Sequence, residues 1–445
     1  MEIKNSITRQ VFNLAIPVTL QSLFQSSLEI IDQIMVGQLG SVTIASVGMG
    51  SKYANLFTVT LAAIGTAASL MMAQYYGQKN NKGLSKTFWI NSMFAFIITV
   101  LFSLPALCCP KAVMSLYTNE APVIPLASTY LYIIALGFPP LFITSMLANY
   151  LRNTQYPRLP MIASIFSVII NTLLNYVLIF GPFGLPRLGL QGAAIATTIS
   201  RYLECLIIGL LFWRIQIKSA NRITWEQEGF RPFAKMAFFI GLPVLINEFL
   251  WGFGETIYAV IYGHMGTAAM AAITLTFPIQ GLCIGLFSGV STAGAILVGN
   301  QLGKKEGTHA YILAKHFVEG TIIGGIVLGI LLYIASPFYG NIFKINSETY
   351  VLLVMTLKVF SIALWIKVSN MVLGGLLRSG GKTHITLYLD MIGTWAIGVP
   401  LGLIAAFSWH WSLPWVYAII TIEEFVRFVL GILIVRSKRW MKTLA

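Results

Sequence analysis

Polar residues along this chain come in short clusters, and between the clusters run stretches of about twenty or more predominantly apolar residues. A helix of that length crosses the hydrocarbon core of a bilayer, and it satisfies its own backbone hydrogen bonds there. The apolar stretches are continuous and lack the polar–apolar alternation of a membrane β-strand. Twelve spans are predicted, six in each half. The first half gives 13–36, 44–73, 88–110, 124–148, 159–181 and 190–212; the second gives 237–262, 268–299, 314–336, 350–375, 385–407 and 412–435. Several exceed the minimum length, which leaves room for tilt or a bend. The most polar stretch, 213–236, reads as a linker between an N-lobe (1–212) and a C-lobe (237–445). The fold class is an all-α polytopic membrane protein.

The halves repeat one another at a constant offset of 226 residues. Pro17-Val18 falls on Pro243-Val244, Glu29 on Glu255, and Gly37 and Gly40 on Gly263 and Gly266. Thr66-Ala67 falls on Thr292-Ala293, Gly77 on Gly303, Lys79 on Lys305 and Arg152 on Arg378. Two copies of one unit meeting in a bilayer suggest a substrate path between them, and so a transporter.

Composition agrees: of 445 residues 57% are hydrophobic and 10% charged, with mean hydropathy +0.78. Soluble chains carry about 25% charged residues. The net charge of +14 follows the loops rather than forming a nucleic-acid patch. Twenty of the 29 Lys and Arg lie in loops on the N-terminal side, against four (Lys52, Lys111, Arg187, Lys344) in the opposite loops. That bias puts both termini in the cytoplasm, with anionic lipid headgroups as the partners of the basic loops. The N-terminus lacks the compact apolar core and cleavage site of a signal peptide, so the first span is expected to direct insertion. The four cysteines (Cys108, Cys109, Cys205, Cys283) show no metal-ligand spacing and read as small buried residues.

Ionisable residues inside spans each need a reason, since a charge at mid-bilayer costs roughly 2.5–3.5 kcal/mol. Glu29 and Asp32 lie three apart on one face of the first span, with no basic residue in that span to pair with. Two carboxylates that close resist double ionisation, which favours proton exchange; they could equally share a Na⁺. Pro17, well inside the span, can bend it. Asn171 and Asn175 share a face of the fifth span, as oxygen ligands completing a polar pocket or as inter-helix glue, and Thr197 could add a hydroxyl.

In the second half Glu255 takes the place of Glu29, while Tyr258 stands at the Asp32 position. A Lys367–Glu255 ion pair would relieve both burial costs, and Glu248 lies two turns before Glu255. Arg201 with Glu204, and Glu424 with Arg427, can pair within their helices, and Asp390 is expected to face water. The stripe Gly281-x3-Gly285-x3-Gly289 reads as close helix packing. There is no phosphate-binding GxxxxGK[ST], no HExxH and no nucleophile elbow, so no enzyme and no cofactor are expected. Uphill transport would then draw on an ion gradient.

The chain resembles the multidrug and toxic compound extrusion (MATE) family over nearly its whole length. The resemblance rests on Asp32-Gln33-Ile34-Met35-Val36-Gly37-Gln38-Leu39-Gly40, Gly65-Thr66-Ala67-Ala68 and Gln74-Tyr75-Tyr76-Gly77. The run from Asn171 to Gly181, followed by Leu188-Gly189-Leu190-Gln191-Gly192-Ala193-Ala194, is its most specific part. It implies two six-helix lobes with pseudo-twofold symmetry around a V-shaped cavity. It also implies antiport, in which drugs or toxic organic cations leave as H⁺ or Na⁺ enters. The family's N-lobe cation site transfers onto Asp32, Asn171, Asn175 and Thr197, and its bending proline onto Pro17. Some members carry aspartate where this chain has Asn175, and the amide weakens the case for Na⁺. Glu255 matches the C-lobe acid of one branch, but Lys367 stands where that branch has aspartate, which argues against a C-lobe Na⁺ site of that kind. The aromatic residues, 13% of the chain, offer stacking and cation–π surfaces for flat cations. A monomer in the inner (plasma) membrane is expected. The same superfamily holds flippases for lipid-linked sugars, for which Lys358 and Lys367 could begin a basic cavity.

Overall fold

The computed structural model describes residues 13–25, 27, 35, 41–116, 123–182, 186–218, 223–224, 230–341 and 347–442. Glu29 and Asp32 lie outside the described residues. Every described regular element is helical.

The helices follow the predicted spans closely. In the first half they are α1 (13–25), α2 (Ser41–Gly77), α3 (Asn81–Cys108), α4 (Pro110–Ser115), α5 (Val123–Ala135), α6 (Phe138–Asn153), α7 (Arg158–Phe180) and α8 (Leu190–Lys218). The second half brings α9 (Phe230–His264), α10 (Thr267–Gly303), α11 (Gly307–Gly340), α12 (Ser347–Ser379), α13 (His384–Asp390), α14 (Val399–Leu403), α15 (Leu413–Ile420) and α16 (Ile422–Ser437). Among the described residues nine helical stretches are long and apolar enough to cross a membrane, or ten if α5 and α6 form one bent span. Those two meet at 43°. The break has a local cause: Gly137 precedes Phe138-Pro139-Pro140, and proline opens a helix more readily than it continues one. With α1 and the α15–α16 pair added, the layout is the twelve-helix, two-lobe one.

Two features were not expected. Between α13 and α15 the helix widens to π geometry at Met391–Gly398 and again at Ile404–Ser408. Such segments insert an extra residue into a turn and recur at functional sites. The chain also divides by its contacts into Leu20–Gly241 and a second unit made of Leu242–Ala445 with α1 up to Thr19. In that second unit Leu14 and Ala15 enter a core with Ile296, Leu376 and Trp440. Gly289 makes this possible, since a Cβ there would run into the Ala15 carbonyl and the Thr19 hydroxyl. Of the predicted glycine stripe, Gly289 fits the close-packing expectation, whereas Gly281 faces open space.

The repeat extends to the backbone. Lys79 and Lys305, 226 apart, end α2 and α10 in the left-handed region, with φ of 57° and 63°. Each is followed by an amide bonding back five residues, Asn80 to Tyr75 and Glu306 to Gln301, both at 3.0 Å. This is the Schellman closure of a helix. Gln155 and Gly381 form the next such pair, with φ of 69° and 75°. A non-glycine residue there costs about 1–2 kcal/mol, yet both copies retain the turn.

Candidate functional site

In the first half, α7 and α8 pack together and bring three predicted residues into one buried cluster. Asn171 and Asn175 are each 1% exposed, one turn apart on α7. Asn175 Nδ2 donates to Asn171 Oδ1 at 2.8 Å, and Asn171 Nδ2 donates to Thr197 Oγ1 at 3.4 Å. Thr197 in turn donates to the Ala193 carbonyl at 3.1 Å. Gly192 lets α8 approach this closely, because a Cβ there would meet the Leu178 carbonyl at 2.5 Å. The cluster is neutral and rich in oxygen. From α1, Gln25 Nε2 reaches Ser164 Oγ on α7 at 3.4 Å. Pro17 is buried in the described part of α1.

The second half is built differently. Arg427 on α16 is the centre of a buried charge network. Its Nη1 donates to Asp390 at 2.7 Å, while Nη2 meets Glu423 at 3.1 Å and Glu424 at 2.9 Å. Tyr258 Oη of α9 donates to Glu423 Oε2 at 2.6 Å. Asn370 of α12 donates to Glu424 Oε2 at 2.7 Å. Both glutamates are nearly sealed, at 5% and 7% exposed. The π segment supplies the room. A Cβ at Gly398 would fall on Tyr258 Oη and Glu423 Oε2, and one at Gly393 would meet Arg427 Cγ at 2.6 Å.

Several expectations change here. Asp390 keeps part of the expected exposure, at 23%, but it is held by Arg427, and it sits where the widened helix begins. The Glu424–Arg427 pair forms as expected, but Glu423 and Asp390 share the same guanidinium. Lys367 and Glu255 are not within ion-pair distance. Glu255 is exposed, and Lys367 feels Glu424, Glu255 and Glu423 together rather than one partner. Arg201 and Glu204 form no ion pair either, and Arg201 Nη1 is buried without a hydrogen-bond partner among the described residues. Glu248 pairs instead with Arg378 at 3.2 Å. Cys108 and Cys109 are exposed at the end of α3, because the helix stops there, while Cys283 is buried as expected. Lys358 Nζ lies over the Tyr333 ring at 5.2 Å. Sequence reasoning passed over Glu423, although the repeat offset carried a signal: 226 residues before it stands Thr197.

A buried amide cluster in one repeat and a charge network in the other, within twelve membrane helices, define a membrane transport fold. The MatE family signature matches twice, at residues 17–177 and 243–404, and the chain belongs to that family. The two matches start 226 residues apart, the offset of the repeat. The chain is 23% identical over 443 residues to a probable multidrug resistance protein NorM of Thermotoga maritima, covering 98% of this chain and 94% of that one. It is 27% identical over 415 residues to multidrug and toxin extrusion protein 1 of Xenopus tropicalis, covering 90% of this chain and 69% of that one. In fold it matches an outward-facing multidrug resistance MATE family transporter of the MOP superfamily, with TM-score 0.87, 17% identity and 97% of both chains covered.

Proposed function

We propose that this protein is a secondary antiporter that exports lipophilic organic cations across the plasma membrane in exchange for H⁺ or Na⁺. The observation that carries the reading is the Asn171–Asn175–Thr197 cluster, a set of oxygens assembled inside membrane helices where apolar residues would pack more simply. Its counter-charge is Asp32. α1 and α7 are the first and fifth spans, so they run in the same direction, and they touch at Gln25 and Ser164. Seven residues further on, in both chains of the count, stand Asp32 and Asn171.

Coupling then works by differential affinity. An entering ion neutralises or coordinates the Asp32 carboxylate, α1 repacks about Pro17, and the cargo is bound less tightly in the state that opens outward. A ligand with equal affinity for both states would shift nothing. Asn175 adds no charge to the site, which favours H⁺ over Na⁺. The names of the similar proteins, multidrug resistance and multidrug and toxin extrusion, agree with drug-like cargo. Lys358 is engaged by Tyr333 and Lys367 lies among carboxylates, so the basic wall that a lipid-linked sugar flippase would use gains no support. Both termini are assigned to the cytoplasm by the loop charges.

The test is dye efflux from cells carrying wild type or D32N at equal expression, followed by uptake into vesicles under an imposed pH gradient and then a sodium gradient. D32N is expected to abolish gradient-driven transport. Undiminished efflux by D32N would refute the coupling role of Asp32.

A further inference from the structure

We infer that the C-terminal repeat carries a second proton-exchange site at Glu423, built by moving the acid of the N-terminal site from its first helix to its last. The repeat offset supplies the first line of argument. Asp32 corresponds to Tyr258 and Thr197 corresponds to Glu423, so carboxylate and hydroxyl have traded places. Tyr258 and Glu423 are in fact joined, at 2.6 Å, although 165 residues separate them. Arg201 corresponds to Arg427 by the same offset, and Ser164 to Asp390. Glu424 falls on Thr198, so the second repeat places acids at three positions that are hydroxyls in the first.

The packing supplies the second line. In the first repeat the amide of Asn171, on α7, fills the space against Thr197. In the second, the offset puts the apolar Ile397 where Asn171 stands, and the next residue, Gly398, sets its bare Cα against both Tyr258 Oη and Glu423 Oε2. The longer tyrosine and glutamate meet in the room so made.

Charge accounting supplies the third. Glu423, Glu424 and Asp390 share Arg427, which leaves that network with more acid than base. The other titratable groups acting on Glu423 are Lys367 of α12, Tyr417 of α15 and Tyr262 of α9; the π segment and α14 bring none. Lys367 offsets one excess charge, and Glu255 adds another nearby. One acid can therefore take a proton without leaving Arg427 unpaired, since Asp390 and its neighbour glutamate remain. Glu423 is the acid whose second oxygen is met by a group able to reverse its role. In the anion, Tyr258 donates and Glu423 Oε2 accepts. When hydronium protonates Oε2, one of its O–H bonds breaks and water leaves, one O–H bond forms on the carboxylate, and the new acid donates to Tyr258 Oη instead. A metal ion is disfavoured, because the guanidinium already occupies the space between the acids.

This inference goes beyond Asp32 coupling and is tested without any cargo. The full chain in lipid vesicles is titrated with acid, and infrared difference spectra are recorded in the carbonyl-stretch region of protonated carboxylic acids. Wild type is expected to show a band that E423Q lacks, that E423D retains at a displaced position, and that D32N leaves in place. Y258F should shift the same band, because its hydrogen-bond partner is gone. An E423Q spectrum identical to wild type would overturn the proposal. Should E423Q fail to fold, unchanged band positions in both E423D and Y258F would overturn it equally. Failure of the Asp32 reading would appear elsewhere, as undiminished efflux by D32N with the Glu423 band intact.

Discussion

The two repeats keep the same turns and spend them on opposite chemistry. Lys79 and Lys305 close their helices alike, and Gln155 and Gly381 share a left-handed residue whose amide bonds back three residues. Beyond those turns, the first repeat buries amides and a hydroxyl, while the second buries three acids around an arginine. The arginines at matching positions show the contrast most directly. Arg427 holds three carboxylates through its two Nη atoms; Arg201 makes no ion pair among the described residues. Backbone closure depends on local bonds that each copy makes for itself, so it survives divergence. Polar side chains answer to whatever faces them across the lobe, so they drift in correlated sets.

The largest expected effect follows from that contrast. Replacing Arg427 by Met leaves Glu423, Glu424 and Asp390 buried without their cation, and breaking a buried pair from one side costs about 3–5 kcal/mol. R201M removes no ion pair among the described residues and should cost about 1 kcal/mol or less, as substitutions away from such networks do. Thermal unfolding of both variants in the same detergent checks the difference. Equal destabilisation would break the comparison, since it would mean that Arg201 carries a network of its own.

A second test addresses the space left by Gly398. G398A drives a methyl group onto Tyr258 Oη and Glu423 Oε2, and overpacking of this kind costs about 1–3 kcal/mol. Adding Y258F should recover part of that loss, because it removes one of the two atoms in the way. A double-mutant cycle by thermal unfolding reads the coupling directly. Additive losses would show that the glycine is needed for some other reason.

Much of this architecture is legible in the sequence because bilayer helices announce themselves by length and apolarity. The twelve spans, the repeat and the Asn171–Asn175–Thr197 cluster follow from spacing within or between neighbouring helices. Glu423 was harder to see. Its tyrosine lies 165 residues away, and on its own helix it looks like a second acid beside a simple Glu424–Arg427 pair. The expectation for Asp390 was incomplete: its position near a helix start suggested solvent, and part of that exposure remains, but its partner Arg427 lies 37 residues away on another helix. No local sequence rule marks a π segment. Lys367 misled for a related reason: a buried lysine among several acids has no need of one nearest partner.

The smallest expected effect concerns the arginine in the last turn of the fourth span of each repeat, Arg152 in α6 and Arg378 in α12. Arg152 Nη2 donates to the neutral Gln21 Oε1 at 2.8 Å, four residues after Pro17. Arg378 Nη1 meets the charged Glu248 at 3.2 Å, five residues after Pro243. In both repeats an arginine thus ties the helix just beyond its proline, by a neutral bond in the first and an ion pair in the second. The Glu248 pair is partly open to solvent, at 17% and 29% exposed, so E248Q should cost only about 0.2–1 kcal/mol. Q21E gives Arg152 the ion pair that Arg378 already has, and should stabilise by a similar small amount. The sign of each change, read by thermal unfolding at low salt, is the discriminating quantity. The E248Q effect should shrink as salt is raised, because that pair is partly open to solvent, whereas the buried position of Gln21 makes the Q21E effect less sensitive to salt. If Q21E destabilises instead, the neutral bond is there because that part of the first helix is better held loosely than charged, and the two arginines serve their prolines differently.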